Sequence, residues 1–243
     1  MLNKAFAIAF IGLFVQSTAF AAIAYDNKAS SSNTSSASLT YSHTVAGSDR
    51  ILFVWASGHY TSGAAYPTSV TYNGTNMTEL TDTRQDYVNA RSSVWYLIAP
   101  DTGTNDVVIT FAASKDSIIG LSLSYTGADQ ASQPDAQNSQ NGQEASDGIA
   151  DTSITTTVDG CGIVTFANGN QNWGAWTVVS PFTDRSSANA AANHQAYSAD
   201  YIVKATAGAQ EVDWTVVNLE NWSVFNVSFD PAATSTGQVI IVS

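Results

Sequence analysis

The stretch from Ser92 to Asp129, SSVWYLIAPDTGTNDVVITFAASKDSIIGLSLSYTGAD, decides the fold, because a weaker copy, YSADYIVKATAGAQEVDWTVVNLENWSVFNVSFDPA, returns near the C-terminus. Tyr96, Gly103, Val107 and Thr110 meet Tyr201, Gly208, Val212 and Thr215 at one constant offset (208 − 103 = 105), and Leu121, Leu123 and Tyr125 meet Phe225, Val227 and Phe229 one residue tighter. Each copy reads as strand, tight turn, strand, loop, strand. Val94, Tyr96 and Ile98 alternate with Trp95 and Leu97; Pro100 to Gly103 supply turn chemistry; Val107, Ile109 and Phe111 then resume the period of two. In the last strand Leu121, Leu123 and Tyr125 oppose Gly120, Ser122 and Ser124, which predicts an apolar row on a core. The copy keeps that phase, and a slip of one residue would turn the row outward.

Upstream, Thr44-Val45-Ala46-Gly47 before Ile51 to Ala56 matches Thr157-Val158-Asp159-Gly160 before Ile163 to Ala167, with drifting offsets that place insertions in loops. The expectation is an all-β, jelly-roll-like antiparallel sandwich over 38–230, made of two similar halves, 38–129 and 152–230. One sandwich of two Greek-key halves and two tandem sandwiches both satisfy the pattern.

Ahead of it, residues 1–22 have the layout of an export signal: Lys4, an apolar run from Ala5 to Val15, and the small-residue site Ala19-Phe20-Ala21. No other segment approaches the roughly 20 apolar residues of a membrane span. The expected product is secreted or surface-located, with no membrane span after cleavage. Residues 23–37, including NKASSSNTSSA, read as a flexible polar spacer, and ordered strands are expected from Leu39 onward. Leu39, Tyr41, His43 and Val45 alternate as a first strand, Arg50 to Ser57 is apolar on both faces, and Asn73-Gly74 marks a hairpin. The polar run Gln130 to Asp151 reads as the connection between halves.

About 220 residues remain after processing, enough for a sizeable core without disulfides. The single cysteine, Cys161, lies between two glycines at a strand start and reads as a small buried apolar residue. Twenty acidic against eight basic residues give a formal charge of −12, which opposes nucleic acid and anionic lipid.

Several short motifs have a familiar look. Ser42-His43-Thr44-Val45-Ala46-Gly47-Ser48 with Arg50, Val70-Thr71-Tyr72-Asn73-Gly74, Trp95-Tyr96-Leu97 with Pro100 and Gly103, and Tyr125-Thr126-Gly127-Ala128-Asp129-Gln130 with Pro134 resemble the recurring motifs of a family of largely uncharacterised secreted bacterial β-sandwich proteins. The resemblance covers nearly the whole mature chain. It implies a jelly-roll-like sandwich exported to the cell surface or medium, and brings no catalytic residues with it.

Two loops occupy equivalent places after the second strand of each half, Gly58 to Tyr66 and Asn168 to Trp176. Both mix aromatics with small polar residues, the combination a sugar ring needs from a binder. Their candidate ligand residues are His59, Tyr60, Tyr66, Asn170, Asn172, Trp173 and Trp176, and the expected partner is an extracellular glycan or cell-surface component. His43, His59 and His194 are scattered, and neither a nucleophile elbow nor a paired-histidine zinc motif occurs, so catalysis is not expected; a polysaccharide hydrolase with dispersed carboxylates is the alternative. Calcium is the one cofactor the acidic turns would admit: Asp101 and Asp106 bracket a turn, and Asp129, Asp135, Asp147 and Asp151 populate the central segment, without the alternation of a calcium loop. The tail 231–243, ending Gly237-Gln238-Val239-Ile240-Ile241-Val242, reads as a last strand, or as a segment that adds to a neighbour's sheet edge in an oligomer or assembly.

Overall fold

Alternation of apolar and polar residues governs almost every element, and no helix occurs among the described residues. The structure, a computed structural model, describes residues 21–60, 66–87, 89–142, 149–169, 176–190, 194–215 and 221–233. Residues 1–20, most of the expected export signal at 1–22, and the tail from residue 234 lie outside them. The first half contains β1 (Ala24–Val45), β2 (Ile51–His59), β3 (Pro67–Tyr72), β4 (Thr75–Asn76), β5 (Thr78–Tyr87), β6 (Ala90–Ile98) and β7 (Gly103–Thr126). The second contains β8 (Ala136–Gly142), β9 (Ile149–Thr156), β10 (Cys161–Gly169), β11 (Thr177–Val178), β12 (Thr183–Ala190), β13 (His194–Lys204), β14 (Gly208–Thr215) and β15 (Trp222–Phe229).

The two halves have the same antiparallel pairing. In the second, a five-stranded sheet runs β12-β13-β10-β15-β8 and a three-stranded one β11-β14-β9. In the first, β5-β6-β2-β7 repeats β12-β13-β10-β15, and β3 on β7 repeats β11 on β14. The long strands β1 and β7 pair along most of their lengths, with register shifts between Tyr25 and Asn27 and between Ser36 and Ser38, and the second break lets each serve as two of the repeat's strands. Their inner ends (Ala24 to Thr34 with Ser117 to Thr126) repeat β8 with β15, and their outer ends (Ser38 to Val45 with Gly103 to Thr110) repeat β9 with β14. Gly103 and Gly208 open matching strands at φ 97° and 128°, a conformation that favours glycine.

Each half is therefore a jelly-roll-like sandwich of its own, and the two pack large sheet against large sheet. Leu39, Leu52, Val54, Val107 and Ile109 fill the first, while Ile154, Ile163, Val212, Trp214 and Val224 fill the second. The opposite faces of the large sheets meet in a third, shared core of Phe53, Trp55, Leu121, Leu123, Tyr125, Phe166, Phe225, Val227 and Phe229. The duplicated inward rows thus face each other across the molecular centre, as their common phase requires. Leu123→Ala is expected to cost about 3 kcal/mol, because the seam is closed on both sides and cannot collapse onto the void; chemical denaturation measures it.

Two polar segments depart from expectation. Residues 23–37 are no loose spacer: Ala24 to Thr34 is the inner part of β1, paired to β7. Its alternate side chains cross to the second half, with Lys28, Ser30 and Ser32 donating to the carbonyls of Arg185, Ser187 and Asn189 on β12. Likewise the run 130–151 is not all connection, since β8 lies within it. There Gln137 donates to Asp82, Ser139 to the Asp82 carbonyl, Gln85 to Ser139 and Asn141 to Gln85, all toward β5. Half boundaries accordingly move outward, from 38 to 24 and from 152 to 136. In repeat terms, β1 against β12 is the same contact as β8 against β5, so the seam has approximate two-fold symmetry.

Candidate functional site

Strand direction brings both loops singled out in the sequence to one end of the molecule. There β2 ends at His59, β10 at Gly169 and β12 at Ala190, while β6 begins at Ala90, β13 at His194 and β15 at Trp222. Asn170, Asn172 and Trp173 lie outside the described residues. The other four are placed.

Trp176 is 3 % exposed and belongs to the second half's core, where its ring stacks on Tyr197 at 5.8 Å and 8°. One face of the ring is thereby covered. Beside it a hollow of about 290 Å³ opens, lined by Trp176, Thr177, Asp184, Arg185, Ser187 and Tyr197. Asp184 and Ser187 are exposed, while Arg185 is held by Asp200 at 2.8 Å and lies 3.9 Å over the Tyr25 ring. The hollow mixes aromatic rings, hydroxyls, a carboxylate and a guanidinium.

In the first half, Tyr60 and Tyr66 are half-buried and attract cations. Arg84 sits 5.0 Å over Tyr66, Arg91 lies 5.0 Å over Tyr60 and 5.9 Å over Tyr66, and Lys115 lies 5.8 Å over Tyr60. Burial pulls the Lys115 ammonium below its usual range, helped by Arg91 and opposed by Asp116. His59 pairs with Asp116 at 3.5 Å, and its ring lies 6.0 Å from that of His194.

Beneath that rim, polar side chains enter the seam. His194 is 1 % exposed; Ser57 meets its Nε2 at 2.8 Å and Ser117 its Nδ1 at 3.1 Å, while Ser92 donates to Ser57 at 2.8 Å. Burial, then the neighbouring His59, holds its pKa down at about 3. A serine hydroxyl on a histidine brings two members of a hydrolytic triad together, but both ring nitrogens are held by serines rather than an orienting carboxylate. This group acts as a hydrogen-bond bridge between halves. His43 is held alike inside the first sandwich, by Ser124 at 3.0 Å and Ser122 at 2.8 Å, with burial lowering its pKa to about 4 against the pull of Asp26.

The acidic turns are mostly self-satisfied. Asp101 accepts from Asn73, Asp106 from Ser42, and Asp129 from the Ala131 and Ser132 amides; Asp151 lies opposite Asp213, and Asp147 is outside the described residues. Only Asp135, among the described residues, joins a group of three potential ligands, with Cys161 and Asp230. Cys161 is buried as expected and donates to the Val158 carbonyl at 3.0 Å and to Asp230 at 3.3 Å. Burial and then Asp230 raise its pKa, so it stays a thiol, a poor partner for a hard cation.

Comparison with known proteins brings no match: no family model, no curated protein and no solved structure aligns significantly with this chain. Function must be argued from the loop end itself. Arg84, Arg91, Lys115, Asp184 and Tyr197 were not legible there as ligand candidates. The available signal was scarcity, since three of only eight Lys and Arg converge on two tyrosines.

Proposed function

We propose that this is an exported contact module that binds glycans through its loop end. The observation that carries this reading is the hollow beside Trp176, in which an aromatic ring stands next to Asp184, Ser187 and Thr177. Its volume is near the lower bound of about 300 Å³ for small-molecule sites, the size for one or two sugar units. A sugar presents a rim of hydroxyls that both donate and accept. A carboxylate, serine and threonine hydroxyls and an arginine match both roles.

The test is affinity electrophoresis of the mature protein through gels containing neutral polysaccharides. Wild type is expected to be retarded by at least one of them, and Asp184→Ala with Ser187→Ala to lose retardation tenfold or more. Both positions are exposed, so the thermal transition is expected to stay put. Equal retardation of the double variant rejects the hollow as the site. Passage of wild type unhindered through every glycan rejects the glycan reading.

A further inference from the structure

We infer that the first half carries a second site, built on Tyr60, Tyr66, Arg84 and Arg91, that recognises the carboxylates of acidic glycans. It rests on the glycan reading for the kind of ligand, but not on the Trp176 hollow. The repeat itself makes the two places equivalent. Tyr66 stands just before β3 as Trp176 stands before β11, and the β5–β6 hairpin corresponds to β12–β13. The same architectural position thus bears hydroxyls, Asp184 and the Asp200-paired Arg185 in one half, and ring-stacked guanidinium groups in the other.

Directional donors gather here. Two guanidinium groups, Arg84 and Arg91, lie within 6 Å of two loop tyrosines, with Lys115 buried against Tyr60 and Phe111. A guanidinium stacked on a ring uses its face, and its N–H groups point outward in the plane, where a planar carboxylate can meet them in pairs. Arg84 gives its Nε and Nη2 edge to Glu79, at 2.9 and 2.7 Å, and its side chain is 44 % exposed. Its Nη1 edge remains directed away from Glu79. Arg91 spans both rings and donates Nη1 to the Ala90 carbonyl at 3.2 Å.

Acidic groups share this ground. Glu79 pairs with Arg84, and Asp116 with His59. The site therefore selects by directional donors rather than by net positive charge. At physiological salt the acidic remainder of the molecule is screened beyond about 8 Å, so the local donors decide.

The experiment uses one polymer in two charge states: polygalacturonate and its fully methyl-esterified form, which share a backbone and differ in carboxylate charge. Wild type is expected to bind polygalacturonate at least tenfold more tightly than the ester in affinity electrophoresis. Arg84→Gln, which keeps a hydrogen bond for Glu79, is expected to remove most of that difference, and Arg84→Lys to recover only part of it. Equal binding of the two polymers by wild type overturns the inference whatever the variants do, as does an unchanged preference in Arg84→Gln. Dextran sulfate bound as tightly as polygalacturonate overturns the selectivity for planar carboxylates in favour of any polyanion. Neutral glycans bound without a preference for acid sink this site alone, whereas no binding to any glycan sinks the glycan reading with it.

Discussion

Deleting Ala24 to Asn33 is expected to abolish the cooperative thermal transition and leave an aggregating chain. This segment forms a ladder with Ile118 to Thr126 of β7, the strand that presents Leu121, Leu123 and Tyr125 to the seam. Removing it exposes about ten residues of strand edge, and at about 1 kcal/mol net per hydrogen bond the loss rivals the whole 5–15 kcal/mol of a typical fold. Side chains go with the ladder: Tyr25 packs edge-on against Tyr125 at 6.1 Å, and Asp26 accepts from Ser124 and from the Ala46 amide. Circular dichroism melts and light scattering decide the matter. A truncated protein that melts like wild type would restore the segment to the role of a spacer.

Acid is expected to weaken the fold well before the carboxylates titrate. His43 and His194 have folded pKa values near 4 and 3, lowered from an ordinary 6.5, so the folded state holds both neutral while the unfolded chain protonates them. With a lowered histidine, stability is complete above pH 6.5 and is lost as pH falls through the window down to the folded value. Between pH 7 and 4.5 the loss is about 2.5 kcal/mol for each, or about 5 kcal/mol together. Asp213 and Asp230, raised chiefly by burial, act in the opposite sense, since the folded state takes up their protons first. Urea denaturation across this range is expected to show a falling midpoint, with a shallower slope in His194→Asn. A midpoint independent of pH would mean that the histidines are charged or accessible in the folded state.

The fold was legible wherever side chains alternate apolar with polar. Leu121, Leu123 and Tyr125 and their copies Phe225, Val227 and Phe229 are all buried in the shared core, and Gly103 and Gly208 open matching strands. Of the arrangements the repeat left open, two sandwiches packed face to face is the one found. What escaped were strands whose alternation is polar on polar. Lys28, Ser30 and Ser32 of β1, and Gln137, Ser139 and Asn141 of β8, spend their inward positions on hydrogen bonds to the other half. Hydropathy carries no trace of such a pattern, because a serine bonding a carbonyl and a serine in water are the same letter.

Site residues were harder to foresee for a related reason. Equivalent loops after β2 and β10 follow from the repeat, and it is the repeat that singles out His59, Tyr60, Tyr66 and Trp176 as candidates. Arg84, on β5, and Lys115, in the bend of β7, reach the tyrosines only through the fold. Trp176 shows the limit of composition, since an aromatic expected in an open polar loop is a core ring stacked on Tyr197 and only 3 % exposed.

The approximate two-fold axis through the seam has a consequence for how such a molecule can be assembled. A self-complementary contact of this kind closes equally well between separate identical chains as between covalently joined halves. A polypeptide carrying one copy would regain a buried centre by pairing with itself, with two identical rims. Joining the copies in one chain frees the rims to diverge, and they differ: one carries Trp176, Asp184 and Ser187, the other Tyr66, Arg84 and Arg91.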